Sequence, residues 1–88
     1  MLGIETLKIV YFARLREAIG QGEEQLEKPG NVTTTGELKA WLMERGEPWA
    51  SALAGKRVLV AVDQEHAHYD DEITNDSEVA FFPPVTGG

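Results

Sequence analysis

The sequence contains no cysteine. That absence excludes a disulfide framework, a thiolate zinc site and a cysteine nucleophile together, so no sulfur chemistry here comes from a side-chain thiol. Long apolar runs are missing too. The longest aliphatic stretch, Val58 to Val62, is far short of the roughly 20 residues of a membrane-spanning helix. The opening Met-Leu-Gly-Ile-Glu-Thr places no basic region before an apolar one. A soluble, cytoplasmic protein is expected, with no membrane partner. Positive charge is scarce: Lys and Arg number 8 against 15 Asp and Glu, for a net charge of −7. Such a surface repels phosphate backbones, which argues against nucleic acid as a partner and for a protein with a basic face. The chain has 88 residues, one small domain that buries about 60–65% of its unfolded surface. A core that thin leaves no room for a deep active site with its supporting shell, so an enzyme acting alone is not expected.

What is present is a regular alternation of elements. Leu7 to Phe12 is β-branched and aromatic and reads as a strand, with Leu7, Ile9 and Tyr11 on one face and Lys8, Val10 and Phe12 on the other. Ala13 to Ile19 reads as a short helix closed by Gly20, and Glu23 to Leu26 as a weaker strand. Thr34-Thr35-Gly36-Glu37 fits a capping box, in which Thr34 accepts from the backbone and Glu37 reaches back. The helix starting there carries a stripe of Leu38, Trp41 and Leu42, with Gly46 as its stop. Pro48 to Leu53 adds a short helical turn, and packing accounts for Trp41 and Trp49 better than ligand stacking does.

Val58 to Val62 predicts a strand buried on both faces or central in a sheet, with Asp63-Gln64 as the following turn. A weak strand lies in the polar stretch around His66. The last strand, Glu78 to Phe82, sets Val79 and Phe81 on one face and Ala80 and Phe82 on the other. The elements must share one core, which predicts an α+β roll of the β-grasp kind: a mixed sheet of about five strands with one main helix on one face. The expected division is a β-grasp domain over 1–82 and an extended tail over 83–88.

The tail, Phe81-Phe82-Pro83-Pro84-Val85-Thr86-Gly87-Gly88, has a mechanical reading. Pro83 and Pro84 lack a backbone N–H, so they stop the strand and hold the chain extended. Pro83 to Gly88 then reaches roughly 20 Å, enough to enter a cleft on another protein. Gly87 and Gly88 have no Cβ and can pass a channel too narrow for other residues, leaving the terminal carboxylate as the reactive group. Ordering this tail costs on the order of 6–12 kcal/mol of backbone entropy, reduced by the prolines. Phe82 and Val85 are the natural anchors to offset it. Phe12, like Phe82, sits on the face away from the core, and two exposed aromatics on one patch point to a protein partner.

The tail FFPPVTGG, the preceding DSEVA, the opening YFARLREAIG and the strand VLVAVDQ together resemble the MoaD family, the small subunits of molybdopterin synthase. A general ubiquitin-like protein would share only the terminal Gly-Gly. The resemblance implies a sulfur carrier. Gly88 would be adenylated by a ubiquitin-activating-like, ATP-dependent enzyme and converted to a thiocarboxylate with sulfur from a donor protein. Pro83, Pro84, Val85, Thr86 and Gly87 would insert into the large subunit, in a heterotetramer of two small and two large subunits. Sulfur would pass to cyclic pyranopterin monophosphate, two transfers building the dithiolene that holds molybdenum or tungsten. The carrier would bind no permanent cofactor, and the general acid and base groups and the phosphate site would belong to the large subunit. The partner-binding sheet face would include Phe12 and Phe82 and pass near His66, where an apolar residue is expected.

Other residues carry simpler readings. His66 and His68, two apart, would share a strand face and with Asp70 or Asp71 make half a metal site, but further ligands are missing and no metal is expected. Asp70, Asp71 and Glu72 read as a solvated turn rather than a catalytic carboxylate pair. Arg14 and Arg16 read as surface ion-pairing residues. Three other functions keep parts of this pattern: a carrier for thiamin thiazole or another sulfur-containing product, a ubiquitin-like modifier joined to lysine through Gly88, and a plain binding module.

Overall fold

A computed structural model describes residues 6–55 and 57–84 of the chain. The elements run β1 (Leu7–Tyr11), α1 (Ala13–Ile19), β2 (Glu23–Leu26), α2 (Thr35–Met43), α3 (Trp49–Leu53), β3 (Leu59–Val62), β4 (Glu65–Ala67) and β5 (Glu78–Phe82). The five strands form one sheet in the order β2-β1-β5-β3-β4. The first and last strands lie side by side and parallel, and the other pairings are antiparallel. This is the expected β-grasp roll, with α2 as the main helix and α1 and α3 as the two short ones the sequence also indicated.

Alternation in the strands decides which face is covered. Leu7, Ile9 and Tyr11 of β1, Val60 of β3, Ala67 of β4, and Val79 and Phe81 of β5 join Leu15, Ile19, Leu38, Leu42 and Leu53 of the helices in a single buried cluster. A fully buried Leu or Phe in such a cluster contributes about 1.5–3 kcal/mol. Both tryptophans pack against it. The Arg45 guanidinium lies 4.0 Å from the centroid of the Trp49 ring and 5.6 Å from that of Trp41.

The local signals act as their chemistry dictates. Gly20 caps α1 at φ 90°, and its N–H donates to the Arg16 carbonyl. The capping box at Thr34 and Glu37 is complete. Glu37 also accepts from the N–H and hydroxyl of Thr33, bonds that hold its carboxyl below the usual carboxylate range. The helix ends at Met43, before Gly46, which takes φ 98° in the following turn. The remaining donors at the start of α2 are met from the loop after β4. Thr35 donates from its N–H to the Asp71 carbonyl, Gly36 from its N–H to the Tyr69 carbonyl, and the Thr35 hydroxyl to the His68 carbonyl.

Two expectations need correction here. The Val58 to Val62 run forms an interior strand, paired on both edges, but not one buried on both faces. β5 holds the centre, and in β3 Leu59 and Ala61 are only half-buried because all the described helices lie on the other face. His68 does not share a strand face with His66, because β4 ends at Ala67 and the chain turns to cap α2. The Asp70–Asp71 segment is a turn, as expected, and Asp71 accepts from the His68 N–H at 2.9 Å. The ion pairs among the described residues are Lys8–Glu23 and Arg45–Glu24, so neither Arg14 nor Arg16 pairs with a described residue.

Candidate functional site

The sheet face away from the helices carries the candidate site. In register, Val10 of β1 stands beside Ala80 of β5, Ala80 beside Ala61 of β3, and Ala61 beside His66 of β4. One pair further along, Leu59 stands beside Phe82. Phe12 follows β1 directly, and its N–H donates to the Phe81 carbonyl at 3.1 Å. Parallel pairing of the first and last strands therefore brings two aromatics from opposite ends of the chain to one place. With Ala61, Gln64, Glu78 and Ala80 they line a shallow depression of about 370 Å³. The two alanines make its floor because they have the smallest side chains that still keep strand geometry.

Phe12 is 49% exposed, and Phe82 is half-buried. A backbone conformation unusual for its residue type holds Phe12 there: Ala13 adopts φ 56°, a left-handed value that turns β1 straight into α1. The rim has little positive charge. Glu78 lines the depression, and Lys8, beside it in register, reaches instead toward Glu23 at 3.8 Å. The hairpin turn beneath is anchored to β5: the Asp63 N–H donates to the Glu78 carbonyl at 2.8 Å, and the Glu78 N–H donates to the Asp63 carboxylate at 3.0 Å.

The structure thus brings the expected Phe12 and Phe82 together. Pro83 and Pro84 follow β5 outside any strand, half-buried. Val85, Thr86, Gly87 and Gly88 lie outside the described residues. Ala61, Ala80, Gln64 and Glu78 were not read from the sequence as site residues. The available signal was that Ala61 and Ala80 occupy the non-core phase of two apolar strands. His66 occupies the position where an apolar residue was expected. Its ring stands edge-on to Phe82, the centroids 6.0 Å apart and the planes at 68°, an ordinary aromatic contact geometry. No group of three or more His, Cys, Asp or Glu side chains that could hold a metal occurs among the described residues, and no helix there is long and apolar enough to cross a membrane.

Known proteins share this family and fold. A model of the ThiS family matches residues 9–88. A molybdopterin synthase sulfur carrier subunit of Haemophilus influenzae is 39% identical over 82 residues, covering 93% of this chain and 99% of the relative. A solved chain described as molybdopterin converting factor, subunit 1, from Pyrococcus furiosus superposes with a TM-score of 0.73 at 29% identity, covering 91% of this chain and 98% of the other. The same fold occurs in a Helicobacter pylori complex of subunits 1 and 2 of molybdopterin-converting factor, with a TM-score of 0.64 at 17% identity over 94% of this chain and 99% of that one.

Proposed function

The chain belongs to the ThiS family, and from that premise we propose that it is the sulfur-carrier subunit of a molybdopterin synthase, with Gly88 as the carrying residue. The observation that carries this reading is where the last strand ends. β5, the central strand, ends at Phe82 beside an apolar depression on the uncovered sheet face, and Pro83 and Pro84 lead the chain out of the ladder. A partner seated on that face would receive residues 83–88 as an extended arm, separate from the domain over 1–82.

A carboxylate is a poor electrophile, so the first step is activation. The Gly88 carboxylate attacks the α-phosphate of ATP on a ubiquitin-activating-like enzyme. Pyrophosphate leaves and an acyl-adenylate forms. A donor protein's persulfide then attacks the acyl carbon, AMP leaves, and a second thiol reduces the resulting acyl disulfide, freeing the thiocarboxylate and leaving the donor as a disulfide. The loaded tail, Pro83 to Gly87 behind it, enters the large subunit, where the thiocarboxylate sulfur bonds to a carbon of cyclic pyranopterin monophosphate and water then cleaves the acyl–sulfur bond, leaving the sulfur on the substrate and Gly88 as a carboxylate. Two loaded carriers serve each dithiolene, which fits a complex of two small and two large subunits. Acid–base groups and the phosphate site belong to the large subunit, since this acidic chain offers no basic cluster for a phosphate.

The test uses the missing cysteines. After incubation with the cognate activating enzyme, ATP and a sulfur donor, a thiol-alkylating reagent should label Gly88 and nothing else. Fragmentation must locate the label, because oxygen-to-sulfur exchange is nearly isobaric with oxidation of Met1 or Met43. An unlabelled chain in a competent system would overturn the carrier reading. Co-purification with the large synthase subunit separates this acceptor from a thiazole pathway, and a conjugate ladder in extract would mark a modifier instead. Deleting Gly87 and Gly88 should abolish function with the fold unchanged, an outcome a plain binding module would not give.

A further inference from the structure

His66 stands at the boundary of two unlike surfaces. On one side it meets Phe82 edge-on and continues the row of Ala61 and Ala80. On the other it lines a polar depression of about 410 Å³ with Asp63, Glu65, Asp71 and Glu72. The groups around it are therefore Ala61 from β3, Phe82 from β5, Asp63 from the hairpin turn, Glu65 on its own strand, and Asp71 and Glu72 from the loop after β4. Glu78 lies along the apolar depression. Its neighbours are apolar or acidic, yet among the described residues it makes no ion pair. The ring is exposed to water in the free carrier.

We propose that His66 is part of the docking face and is covered by the large subunit in its neutral form, so that assembly of carrier and large subunit strips the proton from a charged ring. This rests on the reading above that the face around Phe12 and Phe82 receives that subunit. Ala61, Ala80 and Phe82 require an apolar counterpart, and seating one removes water from the Phe82 side of the imidazole. A charged ring would lose hydration there and gain no counter-ion, because the carboxylates lie on its other side and stay at the solvated rim. A neutral ring keeps its edge contact with Phe82 at no such cost.

The sign follows from linkage. Docking that lowers the bound imidazole's proton affinity is strongest above the imidazole range and weakens as pH falls through it. Each pKa unit of lowering is worth about tenfold in the dissociation constant below both values. The experiment titrates the full 88-residue chain into its cognate large subunit at about pH 7.5 and about pH 5.5, either side of the ordinary imidazole value. Wild type, His66→Phe and His66→Gln are compared, with Trp fluorescence confirming that each is folded.

Wild type should bind about five- to tenfold more weakly at the lower pH than at the higher, a loss that neither variant shows. Its His66 ring resonances should also titrate at lower pH in the complex than in the free chain. Titrating groups of the large subunit act on all three proteins alike and cancel in that ratio. Equal pH ratios for wild type and both variants, or identical His66 titration free and bound, would overturn the proposal while leaving the docking face intact. Failure of wild type to bind at either pH would overturn the docking face itself.

Discussion

The Tyr11 hydroxyl donates to the Glu24 carboxylate at 2.7 Å, and the other oxygen of that carboxylate accepts from Arg45 at 3.0 Å. This chain of contacts ties β1 to β2 and to the turn after α2, next to the tryptophans that Arg45 covers. Burial pushes the Tyr11 phenol well above its ordinary value, with the hydrogen bond and charge of Glu24 adding to the rise. The folded state thus holds a proton that the unfolded state gives up near pH ~10. Its stabilisation is complete below that pH and is lost progressively above it. Tyr11→Phe should cost about 1.5–3 kcal/mol at neutral pH, as for a hydrogen bond to a charged group, and flatten part of the alkaline fall in stability. Urea unfolding at a series of pH values from neutral to strongly alkaline measures both. Tyr69, whose phenol is also raised by burial, accounts for a remaining slope.

Phe12 is exposed without a role in the core, so truncation should affect binding more than folding. Phe12→Ala should change unfolding free energy by less than about 1 kcal/mol and weaken association with the large subunit by about 2 kcal/mol, as for an aromatic anchor. Calorimetric titration paired with denaturation separates the two effects. Equal losses in both would place Phe12 in the fold rather than at the docking face.

The β3–β4 hairpin turns on Asp63 at φ 51° and Gln64 at φ 70°, the pair of left-handed residues that the twist of a two-residue hairpin favours. Gln64 has no compensating bond among those described, so Gln64→Gly should raise stability by about 0.5–1 kcal/mol. Asp63→Ala should lower it, because the Glu78 N–H loses its 3.0 Å acceptor. Opposite shifts in the urea midpoint for adjacent residues are the expected result.

Gly36 lies in the first turn of α2, where alanine ordinarily improves a helix by about 1 kcal/mol. Here an added Cβ would sit 2.9 Å from the Tyr69 carbonyl oxygen and 3.2 Å from the Tyr69 Cβ. Gly36→Ala should therefore destabilise the protein and loosen the loop that caps α2. The loss should appear as faster amide exchange at Thr35 and Gly36, whose N–H groups donate to that loop.

Much of this molecule is written locally. The two-residue period of β1 and β5, the Gly20 stop and the Thr34 capping box each specify an element through the chemistry of adjacent residues. Local signals failed where a contact from far along the chain decided the outcome. His68 reads like a continuation of a strand, but its carbonyl is claimed by the Thr35 hydroxyl. Val58 to Val62 reads as fully buried because an aliphatic run does not say whether its second face meets helices, solvent or another protein.

Neighbouring residues alone set the faces of β1 and β5, the caps of α1 and α2, and the absence of thiol chemistry. Tertiary structure alone decided that β1 and β5 lie side by side, so that Phe12 and Phe82 wall one depression floored by Ala61 and Ala80 and bordered by His66. The physical reason is that side-chain alternation fixes which way a residue faces, whereas only closure of the whole sheet fixes which strand it faces beside.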